Sequence, residues 1–395
     1  MEAVKSYKIP VKAPTDLLNA YFKLKKKTLK TVFPHVKIGK KAHLHLEKED
    51  RRKLRNELLK DWKYSKHYVD SAIDSVIGLV KGWIQLYNRG KTKNPPEITR
   101  KTVYVKNTLF SFKEGILKIS IEAWKRYLKV DLKKYNWIPK DFDEIGGLFL
   151  KENELIITLK KSVEPKAEKW TSFDVNLTNI TVFTGEKIKR YDLKELYHIH
   201  RAYEIKRQKI QKLSKSKPKT SKRLLRKYSQ REKNKTKDFM HKLTTRITQE
   251  LKNSNSGAIM EDLKRIKDKI LNGSKSQNRK LSKWNARTFQ TMLEYKLKWM
   301  GLPVKYVDAR NTSRVCPLCS GYLVAYEGRL TKCGNCNLIL DRDVVAVLNL
   351  QMRGFPTPVR DWKESILPVL RSGGGYPERG RKSQGLRRPI KAYVN

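Results

Sequence analysis

The sequence predicts a multidomain α/β protein, and three observations support this fold class. A chain of 395 residues is long enough for two or three domains. Apolar residues recur at three- and four-residue spacing through 16–93, which is typical of packed helices, whereas 101–163 carries short alternating runs typical of strands. Between 257 and 307 the pattern runs strand, helix, strand, which indicates an α/β core.

The first half of the chain predicts a β-domain into which helices are inserted. Residues 6–13 alternate in outline and predict a strand, and Pro14 and Thr15 mark a helix start. The apolar run 71–87 is interrupted by charged residues and is too short for a membrane span, so it predicts a buried helix. The turn sequence 89–96 closes this helical block before the later strands.

The second half predicts strands and helices in alternation. Residues 170–193 predict two strands joined at a Gly-Glu turn, and 257–268 predicts a short strand that ends in two acids. An amphipathic helix, a glycine turn and another strand are predicted over 281–308. Beyond Leu350 the sequence is rich in Gly, Pro and Arg, which predicts that much of this tail is loosely ordered.

Charge points to a polyanionic partner. Lys and Arg total 89 against 39 acids, a formal net charge of +50. Nucleic acid is the first choice, because each neutralised phosphate releases counterions and strengthens binding. A membrane surface is the alternative, which is less favoured because the basic residues recur along the whole chain rather than on one amphipathic helix. The first residues lack the apolar core of a secretory signal, so we expect an intracellular protein.

The most basic stretch is 206–246, which holds 17 Lys or Arg and 2 acids. Such a run is either the solvated surface of long helices or a face that follows a phosphate backbone, and the net charge favours the second interpretation. Our candidates for backbone contacts share this stretch and are Lys222, Arg223, Arg226, Lys227 and Arg231.

All four cysteines lie in two C-x-x-C pairs separated by 13 residues: Cys316, Cys319, Cys333 and Cys336. Two such pairs can fold as tight knuckles around one tetrahedral Zn²⁺, and Gly334 suits such a turn. A redox pair or an iron–sulfur cluster is the alternative. Because sulfur would fill all four positions, no position is left for a catalytic water, and we expect a structural zinc ion.

Three acids in apolar surroundings are the candidates for chemistry. Asp174 lies in a strand-like run, Glu261 ends another, and Asp343 opens a helical stretch for which Asp341 is a candidate N-cap. A single acid of this kind is usually a turn or cap residue. Three that converge at strand ends would suit two Mg²⁺ ions acting on a phosphodiester.

The order FDVNLTN, IMEDL, CPLC…CGNC, DRDVVAVLN resembles the transposon-encoded TnpB proteins, compact relatives of type V CRISPR effectors. Similar residues also occur at Trp284, Tyr295-Lys296, Gly301 and Thr312-Ser313. The resemblance covers about residues 168–350.

This resemblance implies an RNA-guided DNA endonuclease with a RuvC nuclease core of RNase H-like fold. Asp174, Glu261 and Asp343 would be its catalytic acids and would bind two Mg²⁺ ions; the family's position before an Asn-Ala pair selects Asp343 over Asp341. Its implied partners are a guide RNA, which also counts as a cofactor, and target double-stranded DNA. Its implied location is the cytoplasm of a prokaryote, in association with the nucleoid.

The implied domains are five. They are an N-terminal β-barrel wedge domain (1–13 and 97–165), an inserted helical recognition lobe (14–96), the RuvC-like nuclease domain (166–308 and 340–352), a zinc ribbon inserted into it (309–339), and a basic, partly disordered C-terminal tail (353–395).

The chain departs from the family pattern at two positions near the implied site. Asn176 replaces the usual Gly two residues after the first Asp, and Val345 replaces the usual Asn two residues after the last. We expect Asn176 to alter the geometry of the strand end and Val345 to remove a polar group near the site. A further Gly is displaced to Gly321 by Ser320, which we expect to be neutral.

Three other functions stay open at this point. A nuclease-inactive RNA-guided repressor would lack one or more of the three acids, and all three are present. A transposase would also use acids and two metals, but the usual strand-transfer order ends in Glu, whereas this order is Asp, Glu, Asp. A zinc-ribbon RNA-binding protein of the translation machinery would leave the acids unexplained.

Overall fold

A computed structural model describes residues 1–264, 266, 270–355 and 359–370 of the chain, without the side chains of 359–363. The chain divides into two compact units, Glu2–Ser162 and Val163 onward with Met1. Among the described residues, no helix combines the length and the apolar character that crossing a bilayer requires.

The first unit contains three sheets and three α-helices within its described residues. Its strands are β1 (Glu2–Pro10), β2 (Val36–Ile38), β3 (Ala42–Leu44), β4 (Val103–Val105), β5 (Phe110–Lys113), β6 (Ile116–Glu122), β7 (Arg126–Asp131), β8 (Glu144–Ile145), β9 (Leu148–Leu150) and β10 (Glu154–Ser162). Its helices are α1 (Thr15–Val32), α2 (Lys48–Leu59) and α3 (His67–Tyr87).

The main sheet of this unit joins the two ends of its sequence. Strands run in the order β1-β10-β9-β4, with β8 also on β10, and β1 pairs antiparallel with β10 from Glu2 opposite Ser162 to Pro10 opposite Glu154. The strand predicted over 6–13 therefore begins and ends earlier in the structure. Strands β5, β6 and β7 form a separate sheet, and β2 pairs with β3.

The helices of the first unit lie between β1 and β4 in the chain. Helix α1 begins at Thr15, directly after Pro14 as the sequence predicts. The run 71–87 lies within α3, which confirms that prediction, and the helix buries Ile73, Val76 and Val80. Apolar residues at three- and four-residue spacing form this buried face because 3.6 residues make one turn.

The second unit contains a five-stranded and a three-stranded sheet within its described residues. Its strands are β11 (Lys169–Val175), β12 (Asn179–Phe183), β13 (Ile188–Asp192), β14 (Ser256–Glu261), β15 (Val304–Val307), β16 (Leu323–Ala325), β17 (Leu330–Cys333) and β18 (Ile339–Asp341). Its helices are α4 (Lys194–Lys212), α5 (Pro218–Asn253), α6 (Lys275–Ser282), α7 (Ala286–Trp299), α8 (Arg342–Gly354) and α9 (Val359–Val369).

The five-stranded sheet is mixed. Its order is β13-β12-β11-β14-β15, with β12 antiparallel to both neighbours and β14 parallel to β11 and β15. The prediction of two strands over 170–193 is wrong, because the chain also turns at 176–178 and forms three. The missed turn contains no Gly or Pro, so its sequence signal is weak.

Each face of this sheet packs against different helices. Phe173 and Met260 point to a core that includes Met240 of α5 and Phe289 of α7. The opposite face is covered by α8, since the Ser172 hydroxyl donates a hydrogen bond to the Val347 carbonyl at 2.7 Å. Side chains alternate between the faces of a strand, so odd and even positions of β11 belong to different cores.

A close approach brings the end of α8 onto β14. A Cβ placed on Gly354 would lie 2.6 Å from Cγ2 of Ile259, which is closer than packed carbon atoms allow. Glycine is therefore required for α8 to lie this near the strand that carries Glu261.

Part of the sequence predicted as a loose tail is folded. Helix α9 lies within 353–395, and its Ile366 and Val369 are buried beside Val344 of α8. This helix is compatible with a tail that is only partly disordered, and its apolar residues lie at helical spacing despite the Gly- and Pro-rich sequence around it. Residues 356–358 and 371–395 of the predicted tail lie outside the described residues.

Candidate functional site

Strand alternation places Asp174 and Glu261 on one face of the five-stranded sheet. Phe173 of β11 is in register with Met260 of β14, so Asp174 and Glu261 come next on adjacent parallel strands. Phe173 and Met260 point to the core with α5 and α7. The two acids therefore belong to the other face, which α8 covers.

Helix α8 carries the third acid in its first turn. Asp341 caps the helix, since its Oδ1 accepts a hydrogen bond from the Asp343 N–H at 2.8 Å, which confirms the predicted N-cap role. Asp343 itself is only 4% exposed. Three neighbouring elements, β11, β14 and α8, thus supply the acids Asp174, Glu261 and Asp343.

Asp174 is affected by the charges of the other two acids. Burial, with the negative charges of Glu261 and Asp343, raises the pKa of Asp174 to about 7. The Asn176 amide donates a hydrogen bond to Asp174 Oδ2 at 2.8 Å and also contacts Asn179 Oδ1 at 3.3 Å. Asn176 therefore orients the carboxylate, a role that the usual Gly could not perform.

Glu261 is held by two polar neighbours. The Thr312 hydroxyl donates to Glu261 Oε1 at 2.8 Å, and the Gln290 amide donates to the Glu261 backbone carbonyl at 2.8 Å. Burial raises the pKa of the Glu261 carboxyl, an effect that the Thr312 hydrogen bond and the charge of Arg353 oppose.

Asp343 is paired with Arg329, which lies one residue before β17. The guanidinium donates to Asp343 Oδ1, and the Arg329 side chain is 55% exposed. Burial raises the pKa of Asp343, and this guanidinium opposes the shift. Arg329 was not predicted from the sequence, because the pairing depends on the fold of the cysteine-rich segment.

Oxygen ligands of this kind suit a hard divalent cation such as Mg²⁺. The mutual repulsion that raises the pKa of Asp174 is an effect that such a cation would relieve. Among the described residues the three carboxylates form no compact ligand group, and Asn176, Thr312 and Arg329 each form a hydrogen bond to one of them. The residues fit a metal, and a metal would compete with these contacts.

The four cysteines do form a compact group. Their Sγ atoms all lie within 4.8 Å of one another, with Cys316 and Cys336 at 3.6 Å and Cys319 and Cys333 at 3.4 Å. A tetrahedral zinc ion with Zn–S bonds of about 2.3 Å requires sulfur separations of roughly 3.8 Å. A disulfide requires about 2.05 Å, so these are free thiols, and together they could hold one metal ion such as zinc.

Each C-x-x-C pair is followed directly by a residue whose backbone is in the left-handed region. Ser320 has a φ of 60° and Asn337 a φ of 55°, and each directly follows the second cysteine of its pair. Gly334 lies in the turn between Cys333 and Cys336, as the sequence predicts, and its φ is not positive. Ser320 occupies the position where the family pattern has Gly, so that displacement introduces backbone strain.

The cysteine-rich segment is anchored to α8. The Asn349 amide donates to the carbonyls of Thr312 at 2.7 Å and Val315 at 2.8 Å, and Asn349 is 2% exposed. The same helix therefore carries Asp343 and fixes the loop that supplies Thr312 to Glu261. No motif for this link was recognised in the sequence.

Val345 does not face the carboxylates. It is fully buried in the apolar cluster with Val344 and Leu348 of α8 and Phe183 of β12. A valine at this position therefore packs among apolar side chains, and the expectation that it removes a polar group near the site stays a prediction.

The five basic candidates lie together on α5. Lys222, Arg223, Arg226, Lys227 and Arg231 are all exposed. Their spacing puts them along one side of the helix. Within the described part of the chain, none of them pairs with an acid, and Arg231 lies 5.8 Å from the centre of the Tyr228 ring.

Three protein-family models match separate parts of the chain. One described as a probable transposase matches residues 154–266, one described as the Cas12f1-like TNB domain matches 287–350, and one described as an uncharacterized MJ0013 family matches 17–120. The first two together include Asp174, Glu261, Asp343 and the four cysteines.

Curated relatives match most of the chain. TnpB-like protein MJ0751 of Methanocaldococcus jannaschii is 39% identical over 65% of this chain and 99% of its own length. The chain belongs to the TnpB-like family. A second TnpB-like protein of that organism, MJ1635, is 30% identical over 90% of this chain and 85% of its own length.

Two solved structures share the fold of this TnpB-like chain. A Cas12f1-sgRNA-target DNA complex matches with a TM-score of 0.58 and 12% identity, over 85% of this chain and 81% of the other. The mini-RNA-guided endonuclease CRISPR-Cas_phi3 matches with a TM-score of 0.52 and 10% identity, over 90% of this chain and 93% of the other. At these identities the likeness concerns the fold.

Proposed function

We propose that this chain is an RNA-guided DNA endonuclease that hydrolyses phosphodiesters at Asp174, Glu261 and Asp343. The observation that carries the proposal is the position of the three acids, on adjacent strands β11 and β14 and at the start of the helix that covers them. The mixed sheet is, in this proposal, a RuvC-type core. Membership of the TnpB-like family and the fold shared with Cas12 proteins support it.

The residues around the acids each have a part in the proposed reaction. Asn176 orients Asp174, and Thr312 orients Glu261. Arg329 neutralises Asp343, so a cation at that carboxylate competes with the guanidinium. Divalent cations held by the three acids would supply the positive charge that stabilises phosphodiester hydrolysis.

The remaining charges and thiols serve binding and stability in this proposal. The exposed basic side of α5 would contact the backbone of the guide RNA or the target duplex. The four thiolates would hold a structural zinc ion, with no open position for a substrate. Guide RNA would read the target by base pairing, as in RNA-guided enzymes generally.

The test uses the full chain purified with the RNA that accompanies it in cells. That RNA is sequenced, and a plasmid library is made that carries the matching target beside randomised flanking sequence. Wild-type chain is expected to cut a subset of the library when Mg²⁺ is added, and Asp174→Asn to bind the same target without cutting it.

Asp262→Asn is the matched control. Asp262 is the exposed acid next to Glu261, and its Oδ1 accepts a hydrogen bond from the Lys264 N–H at 3.0 Å. This variant is expected to cut at the wild-type rate. Cutting by Asp174→Asn at the wild-type rate would contradict the catalytic assignment, and purification with only random cellular RNA would contradict RNA guidance.

A further inference from the structure

Trp124 lies at the tip of the β6–β7 hairpin and is 93% exposed, more than any other large apolar side chain in the described part of the chain. Exposed tryptophan leaves a large apolar surface in water, which folding alone does not favour. Packing within the first unit therefore does not explain why a tryptophan occupies position 124.

The backbone at Trp124 adds a second unfavourable feature. Its φ is +65°, and the Lys125 N–H donates to the Glu122 carbonyl at 3.2 Å, so Trp124 is the third residue of a tight turn. A positive φ at this position is typical of Gly. The neighbouring β5–β6 turn follows that preference, with Gly115 at a φ of 82°. Strain of this kind at an exposed aromatic residue marks a functional position.

The strands below Trp124 carry two lysines opposite each other on one face, which also carries Asp131 at the far end. Lys118 of β6 pairs directly opposite Lys129 of β7, and like charges in this arrangement repel. The Lys118 ammonium also lies 3.9 Å from the centre of the Tyr127 ring. Lys125 is exposed beside Trp124, whereas the nearby Glu122 is engaged by Arg126 at 3.6 Å. An anion along this face would offset the repulsion.

We propose that Trp124 stacks on an unpaired base of an RNA whose phosphates contact Lys118, Lys125 and Lys129. Aromatic side chains bind single-stranded bases by stacking, and basic residues beside them follow the backbone. A second copy of this chain is disfavoured as the occupant, because it carries the same lysines and a net charge of +50. Duplex DNA would first have to be unstacked, whereas RNA loops present unpaired bases already.

The inference rests on the proposed function only for the presence of an RNA partner, so its test measures binding and not cleavage. The probes are a synthetic RNA hairpin with a single-stranded loop, the same hairpin made of DNA, and a fully paired RNA duplex. Trp124→Gly is expected to bind the RNA hairpin about 5- to 150-fold more weakly, the loss typical of one stacked base. Its binding to the paired duplex is expected to be unchanged.

Two controls separate stacking from a change in the fold. Trp124→Gly relieves the positive φ, so its melting temperature is expected to equal or exceed that of the wild type. Ala123→Gly alters the same turn but keeps the indole, and it is expected to bind the RNA hairpin as the wild type does. RNA should also quench the fluorescence of wild-type chain more than that of Trp124→Gly.

Three outcomes would overturn the proposal. They are equal RNA-hairpin binding by wild type and Trp124→Gly, an equal loss of binding to the paired duplex, and a loss confined to the DNA hairpin. Each of these leaves the proposed nuclease intact. Failure of wild-type chain to bind any RNA would instead overturn RNA guidance and the stacking contact together.

Discussion

The carboxylate site and the cysteine cluster are built in opposite ways, although one of the acids, Asp343, follows the last cysteine closely in the chain. The cysteines come from one continuous segment of 21 residues, Cys316–Cys336, and their sulfur atoms converge within 4.8 Å. The acids come from positions 174, 261 and 343, and each forms a hydrogen bond with a different neighbour. This difference agrees with the proposal that the thiols hold a metal that stabilises the fold and that the acids carry out the reaction.

Of the predicted changes, loss of one thiol should have the largest effect, because it should destabilise the whole cysteine-rich segment. Cys333→Ser removes a buried ligand whose pKa is lowered to about 7 by backbone N–H groups of Cys336 and Asn335, against the effect of burial. Structural zinc sites contribute on the order of 10 kcal/mol to folding. We expect loss of the zinc and unfolding of the strands β16–β18, measured by metal content and hydrogen exchange. Retained zinc with unchanged exchange would contradict a four-thiol site.

Removing one hydrogen bond to an acid should have a smaller effect, which should change cleavage but not the stability of the fold. Thr312→Val removes the hydroxyl that orients Glu261 at 2.8 Å but keeps the shape of the side chain. Partners of metal ligands typically contribute 10- to 100-fold in affinity or activity, so we expect Mg²⁺ activation of cleavage to shift by about that factor. Metal content at the thiols should not change. Thr291→Val, at an exposed position of α7, is the matched control.

The acids should also make stability depend on pH in a defined direction. An unfolded chain loses the Asp174 proton near pH 4, whereas the folded chain holds it up to about pH 7. Within this window the folded state binds the extra proton, so the free energy of unfolding falls as pH rises. Urea titrations without added Mg²⁺ should show this slope reduced in Asp174→Asn. An identical slope in both chains would contradict the raised pKa of Asp174, which burial and the charges of Glu261 and Asp343 produce.

Arg329 links the two regions, and its removal should change metal binding by several-fold. Arg329→Ala frees Asp343 from the guanidinium. With one positive charge fewer beside the acids, Mg²⁺ should bind more tightly in the absence of nucleic acid. Isothermal titration with Mg²⁺ measures this change. Weaker Mg²⁺ binding by Arg329→Ala would show that Arg329 supports the cation instead of competing with it.

The smallest expected effect concerns the first cysteine knuckle. Ser320 has a φ of 60°, a conformation that favours Gly. Ser320→Gly should therefore stabilise the zinc-loaded chain, by less than about 1 kcal/mol because Gly also gains freedom in the unfolded state. Chemical denaturation measures this difference. A loss of stability would show that the serine side chain, and not the backbone, determines the knuckle.

The sequence predicted what depends on local spacing. The cluster of four cysteines is such a case, because C-x-x-C pairs form knuckles without reference to the rest of the fold. So are the helix start at Thr15 and the Asp341 cap, since caps and turns act within a few residues. The convergence of Asp174, Glu261 and Asp343 was predicted mainly from a family resemblance, and its catalytic meaning stays a proposal.

Contacts between distant positions could not be predicted. The Arg329–Asp343 and Asn349–Thr312 pairs, for example, exist only once the cysteine-rich segment is folded against α8. The apolar surroundings of Val345 could not be predicted for the same reason, because they are set by the direction in which α8 packs. Strand register likewise decided that Asp174 and Glu261 share a face.

The central claim is that the acids perform the reaction while the thiols hold the structure. It is tested most directly by the rate of Mg²⁺-dependent target cleavage by Glu261→Gln, measured per folded, zinc-containing chain bound to its copurified RNA. We predict one zinc ion per chain, target binding as in the wild type, and a cleavage rate at least about a thousandfold lower. Cleavage by this variant at the wild-type rate would contradict the account.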